Sequence, residues 1–339
     1  MFATALAIAA ACSDPRAGSP VPEGKAASPA PEAVVGDAQG ARADATEAAA
    51  SPPDAGAAAT TDALARRLAE SAPVGARLIS PRSLSIKVAL ASGDRAVWKP
   101  LRKTNRTARY EVAFSKLAPL VGAPRVPLSV LRRLSVSRLA GLLEAGSPEM
   151  AQALRDEALA DENGLAGGAI IEWVADLGPP LFEGESGWKQ LARWLGRDGP
   201  LAGDEPMVAA ASRMVVADYV LGNWDRFSGG NLFADASGRG LALVDNNGSF
   251  APWSQRQHER MDGQLAACAR FSASQIEQLR ALDKGAVRAA LAVEEARGVV
   301  DRVLTDAEIA LLLERRDSVL HMVDAEVAAR GTKAVIAFP

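Results

Sequence analysis

The sequence predicts an α+β fold with its strands gathered early and its helices late, and three observations carry that reading. Residues 83–91 and 95–100 alternate apolar and polar side chains on either side of Ser92-Gly93-Asp94, the pattern of a β-hairpin. Residues 169–174 (AIIEWV) form a short apolar run of strand length. Beyond residue 187 the chain becomes periodic at helical spacing, most plainly over 305–330, where Thr305 stands as N-cap with Glu308 three positions on, a capping box.

Composition sets the frame for those elements. The chain has 339 residues, 48 % hydrophobic and 23 % charged, enough for one large or two small domains with a core. Its net charge of −3 and lack of a basic block give no support to a nucleic-acid partner. Cys12 and Cys268 are its two cysteines, which excludes a disulfide framework and argues against a thiolate metal site. The opening MFATALAIAAAC resembles the apolar part of a bacterial lipoprotein signal over residues 1–12, with Cys12 as the residue to be lipidated. That reading expects an exported chain attached to a membrane through Cys12; a chance leader leaves the chain cytoplasmic. Residues 13–73 are mostly Ala, Pro, Gly, Asp and Glu, too poor in large apolar side chains to order themselves, and read as a disordered tether. A short helix over 62–71, with Asp62 as N-cap, closes it. The compact domain is expected over 74–339.

Within that domain the hairpin's second strand carries Lys99. A lysine there reaches the phosphates of a nucleotide lying beneath the hairpin as a point charge, although taken alone a solvated strand lysine is the commoner reading. Residues 108–121 form an amphipathic helix with Val112, Ala113, Phe114, Leu117 and Leu120 on its apolar stripe. Glu111 in its first turn suits the helix dipole, pairs with Lys99, or binds a metal. Residues 125–127 leave the helix in extended form, and 135–161 are mainly helical with a break at Gly146-Ser147-Pro148. Trp173, near the end of the apolar run 169–174, reads as a core residue. Helices are expected over 187–195 and 206–221, the second burying Met214, Val215, Tyr219 and Val220.

The stretch with the densest chemistry follows. A polar loop, 223–231, joins the second of these helices to a strand, and a second strand, 241–244, ends on Asp245-Asn246-Asn247-Gly248. A metal-bound polyphosphate needs hard oxygen donors, which Asp245 and Asn231 supply. A carboxylate outside the metal shell must accept the attacking hydroxyl's proton, and Asp225, six positions before Asn231, has that place. The bland readings are a surface Asp225–Arg226 ion pair and an ordinary turn at 245–248. His258 and His321 are lone residues in polar or helical settings, so a histidine mechanism is not expected.

Taken in order, Trp98-Lys99-Pro100, Glu111-Val112-Ala113-Phe114, Arg125-Val126-Pro127, Asn223-Trp224-Asp225-Arg226 and Val244-Asp245-Asn246 resemble the secretory-pathway kinases of the four-jointed type and their Golgi casein-kinase and xylosylkinase relatives. The likeness spans about residues 83–282, and type II phosphatidylinositol 4-kinases and HipA-type kinases share its skeleton more remotely. It implies a two-lobed protein-kinase-like fold, with a small β-rich N-lobe over about 74–174 and a mostly helical C-lobe over about 175–339. It also implies ATP with Mg²⁺ or Mn²⁺, and a protein Ser/Thr or glycan hydroxyl as acceptor. Lys99 would contact the phosphates, Glu111 would pair with it or bind the metal, and Asp225 would be the catalytic carboxylate. Asn231 would bind the metal or order its loop, and Asp245 would be the principal metal ligand. Two departures stand out: Cys268 has no partner for the family's disulfide, and Asn247 is inserted after Asp245-Asn246. Two functions follow, an ATP-dependent kinase or a non-catalytic binding lipoprotein on the same fold; the lack of a Gly-rich loop beyond Gly93 motivates the second.

Overall fold

The computed structural model describes residues 55–80, 84–182, 184–197, 199 and 205–339. The leader ending at Cys12 and the tether as far as residue 54 lie outside the described residues. Helix α1 (Ala55–Glu70) leads into β1 (Pro73–Ser80), β2 (Ser85–Leu90) and β3 (Arg95–Pro100). Helix α2 (Ala108–Leu117) and a single 3-10 turn, Ala118–Val121, come next. Strand β4 (Ser129–Ser135), helices α3 (Val136–Glu144) and α4 (Pro148–Glu157), and strand β5 (Leu165–Glu172) complete the N-lobe. The five strands make one antiparallel sheet in the order β1-β2-β3-β5-β4.

Strand alternation divides this sheet into two faces with different partners. Ile86, Val88, Ala96, Trp98, Val130 and Ile170 pack outward with Leu68 of α1, Leu139 and Leu143 of α3, and Leu154 of α4. The opposite face presents Lys99, Leu131, Ala169 and Ile171, and there the apolar stripe of α2 joins the core of the C-lobe. Gly168 on β5 sits beside Lys99 because nothing larger fits: a Cβ there would lie 2.5 Å from the Lys99 carbonyl oxygen.

The C-lobe is helical. It runs through α5 (Gly184–Leu195), α6 (Glu205–Leu221), the β6 (Leu232–Ala234) and β7 (Leu241–Leu243) hairpin, and α7 (Gln255–Ala266). It ends with β8 (Phe271–Ser272), α8 (Ala273–Ala281), α9 (Lys284–Glu295), α10 (Asp306–Arg330), α11 (Thr332–Val335) and β9 (Ile336–Phe338), which pairs in parallel with β8. Helix α6 is apolar nearly all round because it is the buried centre of the lobe, with Met214, Val215, Tyr219 and Val220 in the core as expected. The capping box at Thr305 and Glu308 is formed.

Two expectations about elements need correction, and two strands were not foreseen. The compact domain takes in α1 and does not begin at residue 74, because Leu68 is fully buried in the outer N-lobe cluster and Arg67 pairs with Asp94 at 2.8 Å. Helix 108–121 ends at Leu117 as an α-helix and finishes as a 3-10 turn around Pro119, closed by Gly122 at φ 60°. Strands β1 and β4 lacked a clear alternating signal, since β1 is only half-buried on average and β4 carries Arg132 and Arg133 mid-strand. Arg132 is drawn inward to the Leu68 and Ser71 carbonyl oxygens. Among the described residues no helix is long and apolar enough to cross a membrane.

Candidate active site

Three elements far apart in sequence meet at Lys99. Strand register on β3 turns its side chain to the inner face of the sheet, where it is almost wholly buried. Its Nζ donates to Glu111 Oε1 of α2 at 2.5 Å and to Asp245 Oδ1 after β7 at 2.7 Å, the second contact closing 146 residues of chain. The other oxygen of Glu111 accepts the backbone N–H of Asn246 at 2.9 Å. Helix α2 is therefore tied both to the strand and to the loop that follows Asp245. That loop turns sharply, with Asp245 in the left-handed region at φ 53°, a conformation that Asp tolerates better than most residues.

The charges are uneven. Burial works against the Lys99 ammonium, but Glu111 and Asp245 outweigh it and hold its pKa above the ordinary lysine value. Burial pushes the Glu111 carboxyl up, with Asp245 adding to the rise, while Lys99 and the Asn246 N–H oppose it. Asp225 stands half-buried on the neighbouring loop; burial raises its pKa, and the charge of Asp245 adds to the rise.

A second network holds the loops that carry Asp225 and Asp245. Arg226 is buried and makes five hydrogen bonds. Two go to the Asp218 carboxylate, at 2.9 Å each, and the others reach the Asn231 carbonyl at 2.8 Å, the Val244 carbonyl at 3.0 Å and Asn246 Oδ1 at 2.7 Å. Arg226 thus fastens the end of α6 to both loops at once. The Asn231 side-chain nitrogen donates to the Asp225 carbonyl at 3.0 Å and to Ser228 Oγ at 3.2 Å, leaving Oδ1 on the other arm of the amide. Gly248 closes the arrangement, since a Cβ at that position would come within 2.9 Å of Asp225 Cβ.

Two bland readings fail here. Asp225 and Arg226 are not a surface ion pair, because Arg226 is buried against Asp218, and residues 245–248 are not an isolated turn. The structure joins Lys99, Glu111 and Asp245 directly; Asp225 and Asn231 are joined to each other and reach the Asp245 loop through Arg226. The sequence reading gave no role to Asp218, Arg226 or Asn246. A lone carboxylate inside the apolar run of α6 was the available signal, since such a group needs a buried partner.

Above the charged trio lies a cleft of about 280 Å³, near the small end for a ligand site. Val97, Ile171 and Phe233 supply apolar walls, and residues 172–174 form one edge. Trp173 is a wall of this cleft, not a core residue, with Lys87 Nζ 3.1 Å from its ring centroid. His258 and His321 are exposed, and Cys268 is buried with a free thiol whose pKa burial raises to about 11.

No family model matches the chain, and no curated protein matches it in sequence. Solved structures do match in fold. The Golgi casein kinase with Mn/ADP bound superposes with a TM-score of 0.63 at 13 % identity, covering 82 % of this chain and 79 % of that one. The chain has the fold of a secretory-pathway kinase. A hydra Fam20 structure with sugar gives a TM-score of 0.59 at 14 % identity, over 80 % of this chain and 90 % of that one. The expected two-lobed architecture, β-rich first and helical second, is therefore what this kinase fold shows, and the Lys99–Glu111–Asp245 cluster lies at the junction of its two lobes.

Does the donor set suit a metal-nucleotide? Among the described residues no three His, Cys, Asp or Glu side chains converge as a cage for a metal ion. Mg²⁺ and Mn²⁺ sites in phosphoryl-transfer enzymes need no such cage, because one or two protein oxygens and the phosphates complete the shell. Asp245, at 39 % side-chain exposure, and the free arm of Asn231 fit that requirement.

Proposed function

We propose that this chain is a metal-dependent kinase that transfers the terminal phosphoryl group of ATP to a hydroxyl of a protein Ser/Thr or a glycan. The observation that carries the proposal is the contact of one buried lysine with carboxylates from α2 and from the loop after β7, beneath a cleft with apolar walls. Bound Mg²⁺ or Mn²⁺ would neutralise phosphate charge and orient the phosphoryl group. Asp245 and Asn231 would hold the metal. Lys99 would bind phosphate oxygens as a point charge, and Glu111 would keep the ammonium in place while Asn246 keeps Glu111 in place. Asp225 would accept the acceptor's hydroxyl proton on its carboxylate as that oxygen attacks, with ADP leaving. Its raised pKa makes it a better proton acceptor than a free aspartate. Attachment to a membrane through Cys12, and hence an exported site of action, is part of the same proposal.

A non-catalytic reading draws on the Lys99–Asp245 contact, which engages the metal-binding carboxylate with a cation before any ligand arrives. One experiment separates the two. Purified protein with ATP and Mn²⁺ is assayed for ADP release and for phosphate transfer to casein and to glycan acceptors. The kinase reading expects turnover that Asp245→Ala abolishes. Nucleotide binding without turnover supports the non-catalytic reading, and the absence of both binding and turnover overturns the kinase reading.

A further inference from the structure

Glu308 lies in the first turn of α10, outside the lining of the cleft, and its capping role does not account for its surroundings. An N3 glutamate in a capping box needs to reach only the N-cap backbone and is at home in water. Glu308 does reach the Thr305 N–H at 2.7 Å, yet it is buried and accepts four further hydrogen bonds. One is from Thr305 Oγ1 at 3.0 Å, two are from the Arg109 guanidinium at 2.9 and 2.6 Å, and one is from the Tyr110 hydroxyl. Arg109 also donates to the Val303 carbonyl just ahead of α10.

Arg109 and Tyr110 are the two residues before Glu111. The first turn of their helix has no side-chain cap at Thr107; the Arg109 and Tyr110 N–H groups donate instead to the Arg106 and Thr107 carbonyl oxygens. A carboxylate from a helix about 200 residues later grips this turn through its side chains, the Arg109 guanidinium and the Tyr110 hydroxyl, two positions and one position ahead of Glu111. The hold is one-sided in sequence terms but bidentate in geometry, the arrangement that fixes orientation most strongly. Helix α2 also contributes its apolar stripe to the C-lobe core and not to the outer N-lobe cluster, so the grip and the packing act in the same direction.

We propose that Glu308 is a positioning residue for the active site: through Arg109 and Tyr110 it sets the first turn of α2, and so holds Glu111 on Lys99. The Lys99–Glu111 pair then stands closed without any activating event, since the element that carries Glu111 is fastened to the C-lobe. The catalytic meaning of this rests on the kinase reading above, but the geometry is testable without it.

Glu308→Gln separates the two duties. Glutamine at N3 keeps the capping box of α10 and removes the charge that binds Arg109 bidentately. Two measurements on the full chain, neither requiring turnover, decide the proposal: amide hydrogen exchange of residues 108–117 against α10, and acetylation of Lys99 by a water-soluble N-hydroxysuccinimide ester, normalised to exposed Lys284. In Glu308→Gln, exchange over 108–117 and labelling of Lys99 rise about tenfold or more, the factor that about 1.4 kcal/mol of local opening gives, while α10 exchanges as before. Arg109→Met reproduces both changes. Unchanged exchange and labelling in both variants overturns the proposal, and so does a rise spread equally over α10, which marks general loosening. If the protein turns over ATP, Glu308→Gln also raises KM for the nucleotide or lowers kcat by a similar factor at temperatures where it remains folded. Absence of turnover in the unmodified protein sinks the kinase reading and leaves the positioning result standing.

Discussion

Arg226 and Lys99 are both buried cations at the lobe junction, yet their surroundings balance them differently. Arg226 meets one carboxylate, Asp218, and three neutral oxygens, so its cluster carries no net charge and all of its contacts are internal. Lys99 meets two carboxylates, one of them well exposed, and a third, Asp225, feels the charge of the second. A closed cluster fixes shape. A cluster with two carboxylates for one cation at the edge of a cleft has room for another positive charge, and that asymmetry distinguishes the part of this fold that holds the loops from the part to which the proposed function assigns a ligand.

The sharpest way to break the comparison is to treat the two cations alike. Arg226→Ala leaves Asp218 buried without a partner and is expected to cost about 3–5 kcal/mol in urea unfolding, with loss of nucleotide binding as the loops separate. Asp225→Asn leaves both clusters intact. It should lower kcat by about 10²- to 10⁴-fold with little change in melting temperature, measured as phosphate transfer at saturating Mn²⁺-ATP. Mn²⁺-ATP should stabilise the wild-type chain by about 2.7 kcal/mol at a hundredfold excess over Kd, read in a thermal melt, and should leave Asp245→Ala unmoved. Without ligand, Asp245→Ala should shift stability by less than about 1 kcal/mol, because its side chain is partly exposed and Lys99 keeps Glu111. A loss as large as that of Arg226→Ala would erase the distinction.

The smallest effect concerns acid. Burial works to raise the Glu308 carboxyl, but Arg109 and Tyr110 more than offset it and its pKa lies below the ordinary glutamate value. A depressed carboxylate contributes stability that is present above the unfolded value of about 4.3 and is lost as pH falls through the folded one. The stability difference between wild type and Glu308→Gln should therefore shrink as pH is lowered from 6 toward 3, followed by urea midpoints; a difference that stays constant contradicts the assignment.

Much of the site was legible because its residues fall in short motifs of fixed type and order. Lys99, Glu111 and Asp245 were visible as members of short motifs, and the hairpin, α6 and the capped α10 as clear periodic patterns. Arg226 was written in the same motif as Asp225 but could not be placed, since an Asp-Arg dipeptide reads equally well as a surface pair. Its partner Asp218 sits eight positions earlier inside a helix, and only tertiary structure shows that both turn inward. Strands β1 and β4 were illegible for a different reason. Their arginines reach backbone oxygens or the solvent edge, so the alternation that reveals a half-buried strand is blurred. Glu308 was seen as a cap and nothing more, because the residues that need it lie about 200 positions away.

The packing of α1 has a practical side. Leu68 fills a socket made by the outer face of the sheet, and Arg132 reaches back to the backbone of residues 68 and 71. A recombinant fragment trimmed at residue 74, where the composition changes, would uncover that socket and leave a guanidinium without its carbonyl oxygens, inviting aggregation during purification. A fragment starting at Pro52 keeps the plug and is the better choice for crystallisation.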